Sequence, residues 1–232
     1  HVNLVELGPG RGTLMADAIR AAAGVPGFLD AVQVHMVETS PVLQSRQRET
    51  LQSARLPVMW HADIDALPDG PMIVLANEFL DALPVRQYVY QKGTWHHRAV
   101  TWADGAFKFV AADAVDPDLI PAPFRTAAEG AIYEDSPAVL AVTKNLAGRL
   151  SAQGGAALFI DYGHTVGGLG ETLQAVSRHG YADPLAEPGD VDLTAHVDFA
   201  ALVACARDAG AAVWGPLTQA ALLQRLGIDE RA

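Results

Sequence analysis

Residues 2–13 of the sequence read VNLVELGPGRGT, in which an apolar run passes directly into glycines at alternate positions. The apolar run Val2–Leu7 predicts a buried strand, and Leu14–Ala23 has the apolar spacing of a helix. Glycines between such elements let the backbone approach a ligand closely, and the free N–H groups of the helix point at that ligand. The stretch therefore predicts the ligand-binding turn of a doubly wound α/β fold.

The nature of the ligand is indicated by the residues around these glycines. A dinucleotide fingerprint needs a further glycine where Thr13 stands, so that pattern is not met. Glu38 ends the second predicted strand, Val32–Glu38, where a carboxylate can accept hydrogen bonds from both hydroxyls of a ribose. Glu6 lies two residues before the first glycine. Without these acids the glycines would fit a plain strand-to-helix turn, but with them the pattern indicates a ligand that carries a ribose. The missing glycine at Thr13 then favours the methyl donor S-adenosylmethionine over a dinucleotide.

Further residues are expected to contact this cofactor because they follow the predicted strands. Asp63, just past the strand Val58–His61, is placed to border the adenine, although a solvated loop acid fits nearly as well. Glu6 could likewise be a surface charge, but its position inside a buried strand favours a polar partner. The complete predicted cofactor site comprises Glu6, Gly8, Pro9, Gly10, Gly12, Glu38, Ser40, Asp63 and Asn77.

A second polar segment follows the fourth predicted strand, Met72–Ala76. Ligands of open α/β sheets bind at the carboxyl ends of the strands, so Asn77 and Glu78 should face the methyl donor. A carboxylate there suits a guanidinium acceptor, since it can accept two N–H groups and leave a nitrogen lone pair for in-line attack. We therefore predict Glu78 as the catalytic acid, with Asn77 and Asp81 beside it. The alternative is that Asn77 and Glu78 cap a helix.

The remaining pattern predicts a mostly parallel sheet interrupted by antiparallel structure. Alternating strands and helices in the first 80 residues are typical of βαβ units, and the helix near Pro41 has Ser40 as a good N-cap. Residues of about 85–110 change to β-branched and aromatic types around two hairpin turns, Lys92-Gly93 and Asp104-Gly105. A helix over Pro137–Leu150 and a late strand over Ala211–Gly215 follow. We expect one domain over residues 1–232 with a β-rich insertion.

Tyr162 and His164 lie at the end of the fifth predicted strand, Ala156–Asp161, and are expected to line the acceptor pocket. Simple packing is the alternative for both. The other histidines, among them His179 and His196, do not have the paired spacing of a zinc site, so no metal is expected.

Composition excludes some classes of function. Acidic residues number 27 against 16 basic ones, and the net charge of −11 would repel a nucleic acid backbone. A basic protein segment or a small molecule is compatible with this charge. The single cysteine, Cys205, cannot form an internal disulfide, and no apolar stretch is long enough to span a bilayer. We expect a cytoplasmic or comparable reducing compartment.

The motifs together resemble a family of S-adenosylmethionine-dependent methyltransferases that includes bacterial MidA-like proteins and the mitochondrial complex I assembly factor that methylates an arginine. The fold implied is the Rossmann-like class I methyltransferase fold, with a doubly wound sheet and an antiparallel β-hairpin insertion. The resemblance rests on stretches over almost the whole chain, namely Glu6–Met15, Val37–Leu43, Ala76–Gln87, Asp161–His164, Glu171–Ala175, Asp192–Phe199, Thr218-Gln219 and Leu226–Ile228.

This resemblance implies a protein arginine N-methyltransferase whose substrate is an arginine-containing subunit, such as one of complex I. It also implies that Glu78 corresponds to one acid of a paired-glutamate arrangement. The family usually has a further N-terminal segment and a C-terminal strand, which we expect to be absent here. The location implied is bacterial cytoplasm or, in a eukaryote, the mitochondrial matrix. Two other readings stay open: a nicotinamide-dependent oxidoreductase and a non-catalytic assembly module.

Overall fold

The computed structural model describes residues 1–54, 56–177 and 180–230 of the protein. The chain divides into two compact units. The first comprises His1–Phe79, Val142–Asp161 and Cys205–Ala232, and the second comprises Leu80–Ala141 and Tyr162–Ala204. That the whole chain forms one domain with an insertion stays a prediction.

Five parallel strands form the sheet of the first unit, in the order β3-β2-β1-β4-β9. These strands are β1 (Val2–Leu7), β2 (Val32–Val37), β3 (Val58–His61), β4 (Met72–Asn77) and β9 (Gly155–Ile160). The helices of the chain are α1 (Thr13–Ala22), α2 (Phe28–Ala31), α3 (Pro41–Thr50), α4 (Pro137–Gln153), α5 (Phe199–Asp208) and α6 (Gln219–Arg225). The strand order reverses between β1 and β4, which confirms the predicted doubly wound topology.

The central strand β1 is buried because both of its faces are packed. Side chains alternate between the faces of a strand, so Val5 and Leu7 contribute to one apolar cluster while Leu4 contributes to another. Leu146 of α4 packs in the first cluster, and Met15 of α1 packs in the second. This two-sided burial is the reason that β1 is a continuous apolar run rather than an alternating one.

The register of the sheet brings the carboxyl ends of its strands to one level. Leu7, the last residue of β1, lies opposite Val37 of β2 and opposite Ala76 of β4. Val37 in turn lies opposite His61, and Asn77 lies opposite Ile160. The residues that follow these strands therefore form one polar rim, which we call the carboxyl rim: Gly8–Gly12 after β1, Glu38 after β2, Ala62-Asp63 after β3 and Glu78 after β4.

The second unit contains the predicted antiparallel strands. Its four-stranded sheet has the order β7-β6-β5-β8, with β5 (Arg86–Gln91), β6 (Thr94–Ala103), β7 (Ala106–Ala114) and β8 (Ile132–Asp135). Both hairpin turns are confirmed, since Lys92-Gly93 and Asp104-Gly105 have positive φ at both positions. The sheet extends beyond the predicted 85–110 because β8 pairs with β5 across a loop. Tyr88, Trp95 and Ile120 are buried in its core.

Five shorter strands complete the second unit, and sequence periodicity did not reveal them individually. β10 (Gly163–His164) pairs with β14 (Val197–Asp198), while β11 (Gln174–Ser177) lies between β12 (Gly180–Ala182) and β13 (Asp192–Thr194). Pairs this short depend on partners distant in sequence, so local pattern carries little information about them.

The predicted late strand over Ala211–Gly215 is wrong. These residues follow α5 without regular secondary structure, and the side chain of Trp214 is 88% exposed. A short apolar run is stabilised as a strand only when it pairs with a neighbour. Within the described parts of the chain, we also find no helix that is long and apolar enough to cross a membrane.

Candidate functional site

The glycine loop at the start of the carboxyl rim is a tight turn with open space above it. Gly8 and Gly10 have φ of 58° and 52°, in the left-handed region that glycine adopts without steric cost. A Cβ atom at Gly10 would meet nothing within 4 Å, whereas one at Gly8 would lie 2.8 Å from Cδ2 of Phe79. Gly8 is therefore required for internal packing, and Gly10 leaves the backbone accessible from outside.

Glu6 carries a buried carboxyl group next to this loop. Its side chain is 3% exposed, and Oε2 has no hydrogen-bond partner among the described residues. Burial raises the pKa of Glu6 to about 7, while a hydrogen bond from the backbone of Met15 opposes that rise. The carboxyl thus accepts a hydrogen bond from the first turn of α1, and its Oε2 remains an acceptor that no residue in the described ranges satisfies.

Glu38 lies at the end of β2, as the sequence predicts, and its carboxylate is held by two donors. Oε1 accepts the backbone N–H of Ser40 at 2.8 Å, and Oε2 accepts Nε2 of Gln47 at 3.2 Å. A carboxylate has about four acceptor sites, so both oxygens can still bind further donors such as a ribose diol. The backbone N–H of Glu38 donates to the carbonyl of His61, which fixes the residue to β3.

Gln47 is a site residue that the sequence reasoning missed. It lies on α3 and is fully buried, and its Nε2 also donates to the carbonyl oxygen of Gly10 at 2.9 Å. Its Oε1 accepts the indole N–H of Trp60 at 2.9 Å. A signal was available, because Leu43, Gln47 and Leu51 share one helical face at spacings of four, and a polar residue there needs partners.

Two other predicted cofactor residues have internal roles. The hydroxyl of Ser40 accepts the backbone N–H of Leu43 at 3.4 Å, which confirms the predicted N-cap of α3. Asp63 is exposed after β3, and its Oδ1 accepts the N–H of Asp65 in a short turn. Contacts of either side chain with a cofactor remain predictions.

Asn77 is the last residue of β4 and Glu78 follows it on the carboxyl rim, and both are exposed. The backbone N–H of Glu78 donates to the carbonyl of Ile160 at 2.8 Å, so the pairing of β4 with β9 continues to this residue. Glu78 has φ of 48°, a conformation that is uncommon for a residue with a side chain. Such backbone strain is concentrated at functional positions.

In the second unit, the structure brings together Asp81, predicted beside the catalytic acid, and Tyr162, predicted to line the pocket for the methyl acceptor. The phenol of Tyr162 donates a short hydrogen bond to Oδ2 of Asp81, and Asp81 is buried. The backbone carbonyl of Asp81 accepts the N–H of Ala195, while the ring of His196 meets that of Tyr162 edge-on at 6.0 Å. Asp81 is therefore a fixed acceptor that orients the Tyr162 side chain.

His164 lies on β10, beside Asp198 on β14. Its Nδ1 is 3.9 Å from Oδ1 of Asp198, which also accepts the N–H of Ala201 at the start of α5. His164 thus has a structural neighbour, and its part in substrate binding stays a prediction. His179 lies outside the described residues.

Comparison with known proteins places this geometry in a family. Residues 1–217 match the family model described as "Putative S-adenosyl-L-methionine-dependent methyltransferase". Protein arginine methyltransferase NDUFAF7 homolog, mitochondrial, from Caenorhabditis elegans is 34% identical over 251 residues, which are 98% of this chain and 58% of that protein. Protein arginine methyltransferase NDUFAF7, mitochondrial, from Danio rerio is 34% identical over 255 residues, covering 99% of this chain and 60% of that protein.

A solved structure is similar as well. A crystal structure of a Burkholderia thailandensis protein bound to S-adenosyl-homocysteine superposes with a TM-score of 0.83 at 33% identity, covering 99% of this chain and 61% of that one. The chain spans about three fifths of the length of these relatives. By its match over residues 1–217, the chain belongs to this family of S-adenosyl-L-methionine-dependent methyltransferases.

Proposed function

We propose that the protein transfers a methyl group from S-adenosylmethionine to a side-chain nitrogen of arginine in a protein substrate. The observation that carries this proposal is the carboxyl rim, where an open glycine turn after β1 and a buried carboxylate after β2 stand at one level. Ligands of open α/β sheets bind where the strand order reverses, which here is between β1 and β4. Relatives named as arginine methyltransferases support the choice of acceptor.

The residues of the first unit fit the cofactor chemically. Open space over Gly10 admits a ligand close to the backbone, and the amino end of α1 presents free N–H groups there. Glu38 offers acceptors for ribose hydroxyls, and the unsatisfied Oε2 of Glu6 suits a cationic amino group. The bound S-adenosyl-homocysteine of the Burkholderia thailandensis relative supports this assignment. Pro9, Gly12, Ser40, Asp63 and Asn77 are proposed to complete the site.

Glu78 is the residue we propose to act on the acceptor. When bound, S-adenosylmethionine supplies an electrophilic sulfonium methyl group. The Glu78 carboxylate can accept two N–H groups of a guanidinium, which localises a lone pair on the attacking nitrogen. The same carboxylate can take up the proton that this nitrogen loses when its bond to the methyl carbon forms and the sulfur–methyl bond breaks, which leaves S-adenosylhomocysteine as the product. The strained φ of Glu78 fixes the direction in which its side chain leaves β4.

The residues Asp81, Tyr162 and His164 are proposed to bind the acceptor protein. The hydrogen bond between Tyr162 and Asp81 supports this role for the first two, because it orients a half-exposed aromatic ring. A basic acceptor suits a chain of net charge −11. We propose an arginine-containing subunit, such as one of respiratory complex I, as the partner. The relatives are named as mitochondrial, which supports the matrix as the location if the source is eukaryotic.

Calorimetric titration of the full chain with S-adenosylhomocysteine and with NAD tests the cofactor assignment. We expect binding of S-adenosylhomocysteine and no saturable heat with NAD, since Thr13 replaces the glycine that dinucleotide sites need. Preference for NAD would support an oxidoreductase and overturn the proposal.

Transfer is tested separately with radiolabelled S-adenosylmethionine and an extract of source cells that lack the protein. We expect label in methylarginine, identified by mass spectrometry of the modified protein. Glu78→Gln should lower the rate by about 100-fold or more, the effect of removing a positioned proton acceptor, while the exposed control Glu49→Gln should not. A Glu78→Gln rate equal to that of the wild type would refute the carboxylate role. Cofactor binding without any transfer would favour a non-catalytic assembly module.

A further inference from the structure

One buried side chain connects the two parts of the cofactor site that come from different strands. Gln47 on α3 donates through Nε2 both to the carbonyl of Gly10, in the loop after β1, and to the carboxylate of Glu38, after β2. Its accessible surface is 0%, so neither contact is shared with solvent. Both contacts are made at the carboxyl rim.

The orientation of the Gln47 amide is determined by its partners. The indole of Trp60 can only donate, so the atom facing it at 2.9 Å must be the amide oxygen. The Gly10 carbonyl and the Glu38 carboxylate can only accept, so the atom facing them must be the amide nitrogen. All three contacts agree on one orientation, and a flipped amide would lose every one of them.

We propose that Gln47 is a positioning residue for cofactor binding, which holds the Gly10 carbonyl and the Glu38 carboxylate at the separation that the ligand requires. This inference rests on the proposed function. The rim elements follow separate strands, and the side chain of Glu38 lies beyond the backbone hydrogen bond that fixes its N–H to His61. A neutral donor bonded to both fixes them without neutralising the acid, so the Glu38 carboxylate keeps its charge for the ribose hydroxyls. Trp60 prevents rotation of the amide itself.

The first test compares Gln47→Met with Gln52→Met by titration with S-adenosylhomocysteine. Methionine has a similar volume but cannot donate, while Gln52 is exposed just after α3 and serves as the matched control. We expect the affinity of Gln47→Met to fall about 10- to 100-fold, the usual effect of losing hydrogen bonds to a charged group. Gln52→Met should bind as the wild type does. Equal affinity of Gln47→Met and wild type would overturn the inference.

A pH profile separates positioning from simple packing. In Gln47→Glu the introduced carboxylate would face the Gly10 carbonyl and the Glu38 carboxylate, and both would repel it. Once protonated, the introduced group can donate again. The affinity relative to wild type at the same pH should therefore recover as the pH is lowered from about 8 to about 6, because burial and a neighbouring acid raise such a pKa. A pH-independent ratio would contradict the proposal.

Trp60→Phe keeps the test decisive if substitution of the buried Gln47 prevents folding, and a double-mutant cycle extends the test if Gln47→Met folds. Trp60→Phe leaves Gln47 in place but frees its amide to rotate, and we expect an affinity loss of about 3- to 10-fold. In a double-mutant cycle, Glu38→Gln and Gln47→Met should lose less affinity together than the product of their separate losses, since they act on one ligand contact. If the affinity loss of the double variant equalled the product of the two separate losses, positioning of Glu38 by Gln47 would be contradicted. If the wild type itself binds no S-adenosylhomocysteine, the proposed function fails instead.

Discussion

The imidazole rings of His35 and His61 are hydrogen-bonded across two neighbouring strands, with Nδ1 of His35 2.9 Å from Nε2 of His61. His35 is 1% exposed on β2, and His61 is the last residue of β3. Burial, followed by the nearby charge of a protonated His61, lowers the pKa of His35 to about 4. Burial lowers the pKa of His61 as well. One ring must donate its N–H to the lone pair of the other, so the contact is lost when both rings are protonated, and burial disfavours protonation of either ring.

We predict that this pair makes the protein less stable in mild acid. Unfolded His35 takes up a proton near pH 6.5 but folded His35 does so only near 4, so its contribution is present above 6.5 and lost as the pH falls to 4. The loss should reach about 3 kcal/mol at pH 4. Urea titrations from pH 8 to 4 should show a shallower decline for His35→Gln, while exposed His196→Gln should follow the wild type. Identical slopes for all three proteins would refute the prediction.

Glu6 is predicted to have the opposite effect. The folded pKa of about 7 lies above the ordinary 4.5, so the contribution of Glu6 is fully present below 4.5 and is lost as the pH rises to 7. Glu6→Gln should therefore be more stable than wild type at pH 8, by up to about 3 kcal/mol, and equal to it at pH 4. Unfolding free energies over this range measure the difference. A gain of equal size at every pH, or one shared by exposed Glu49→Gln, would show that ionisation of Glu6 is not the cause.

Gly8 and Gly10 should respond differently to the same substitution. Gly8→Ala places a methyl group 2.8 Å from Phe79 at positive φ, and we expect a loss of about 2–3 kcal/mol in unfolding free energy. Gly10→Ala carries the backbone cost alone, about 1 kcal/mol, since its methyl group enters open space. That space is where we place the ligand, so Gly10→Ala should weaken S-adenosylhomocysteine binding at least about tenfold.

The hairpin glycine Gly105 is the matched control for this pair, because it also has positive φ and open space around it. Gly105→Ala should lose a similar amount of stability to Gly10→Ala and bind S-adenosylhomocysteine normally. If Gly10→Ala bound the ligand as tightly as Gly105→Ala does, the loop would have no role in binding.

The strain at Glu78 predicts that a glycine variant is more stable than an alanine variant at this position, which reverses the usual order of their stabilities. At φ of 48° a Cβ atom is unfavourable, so Glu78→Gly should be about 1 kcal/mol more stable than Glu78→Ala, although both should lose methyl transfer. At the preceding residue, which is an extended strand position, Asn77→Gly should be less stable than Asn77→Ala. Thermal unfolding of the four variants measures the order of stability of the glycine and alanine variants at each of the two positions. Glu78→Ala being the more stable of its pair would show that no strain is stored there.

Several elements of both units follow from local pattern. The run Val2–Leu7, the N-cap at Ser40 and the two glycine-containing hairpin turns each depend on neighbours in sequence, and the structure has all of them. The acids after β2 and β4 could be placed on one rim because parallel strands end at one edge of a sheet. Family motifs then supplied the choice of acceptor.

What could not be predicted depends on pairing across long separations. The strands β10–β14 are two to four residues long and are stabilised by distant partners, so no periodicity marks them. The opposite error occurs at Ala211–Gly215, where the composition predicts a strand but the residues do not pair with any of the described strands. Helical spacing could mark Gln47 as a buried polar residue in need of partners, but identifying those partners required coordinates, because Gly10, Glu38 and Trp60 lie on three different elements.

Because β1, β2 and β4 are in register, the length of each strand determines the position of the site residue that follows it. Each strand rises about 3.3 Å per residue and alternates its faces. Deleting one residue inside β2 would draw Glu38 down by that distance, or turn its side chain to the opposite face of the sheet. Insertions and deletions in the connections beyond the rim are thus compatible with the arrangement of the site residues. Within the strands they are not, because the number of residues in each strand sets where its site residue lies.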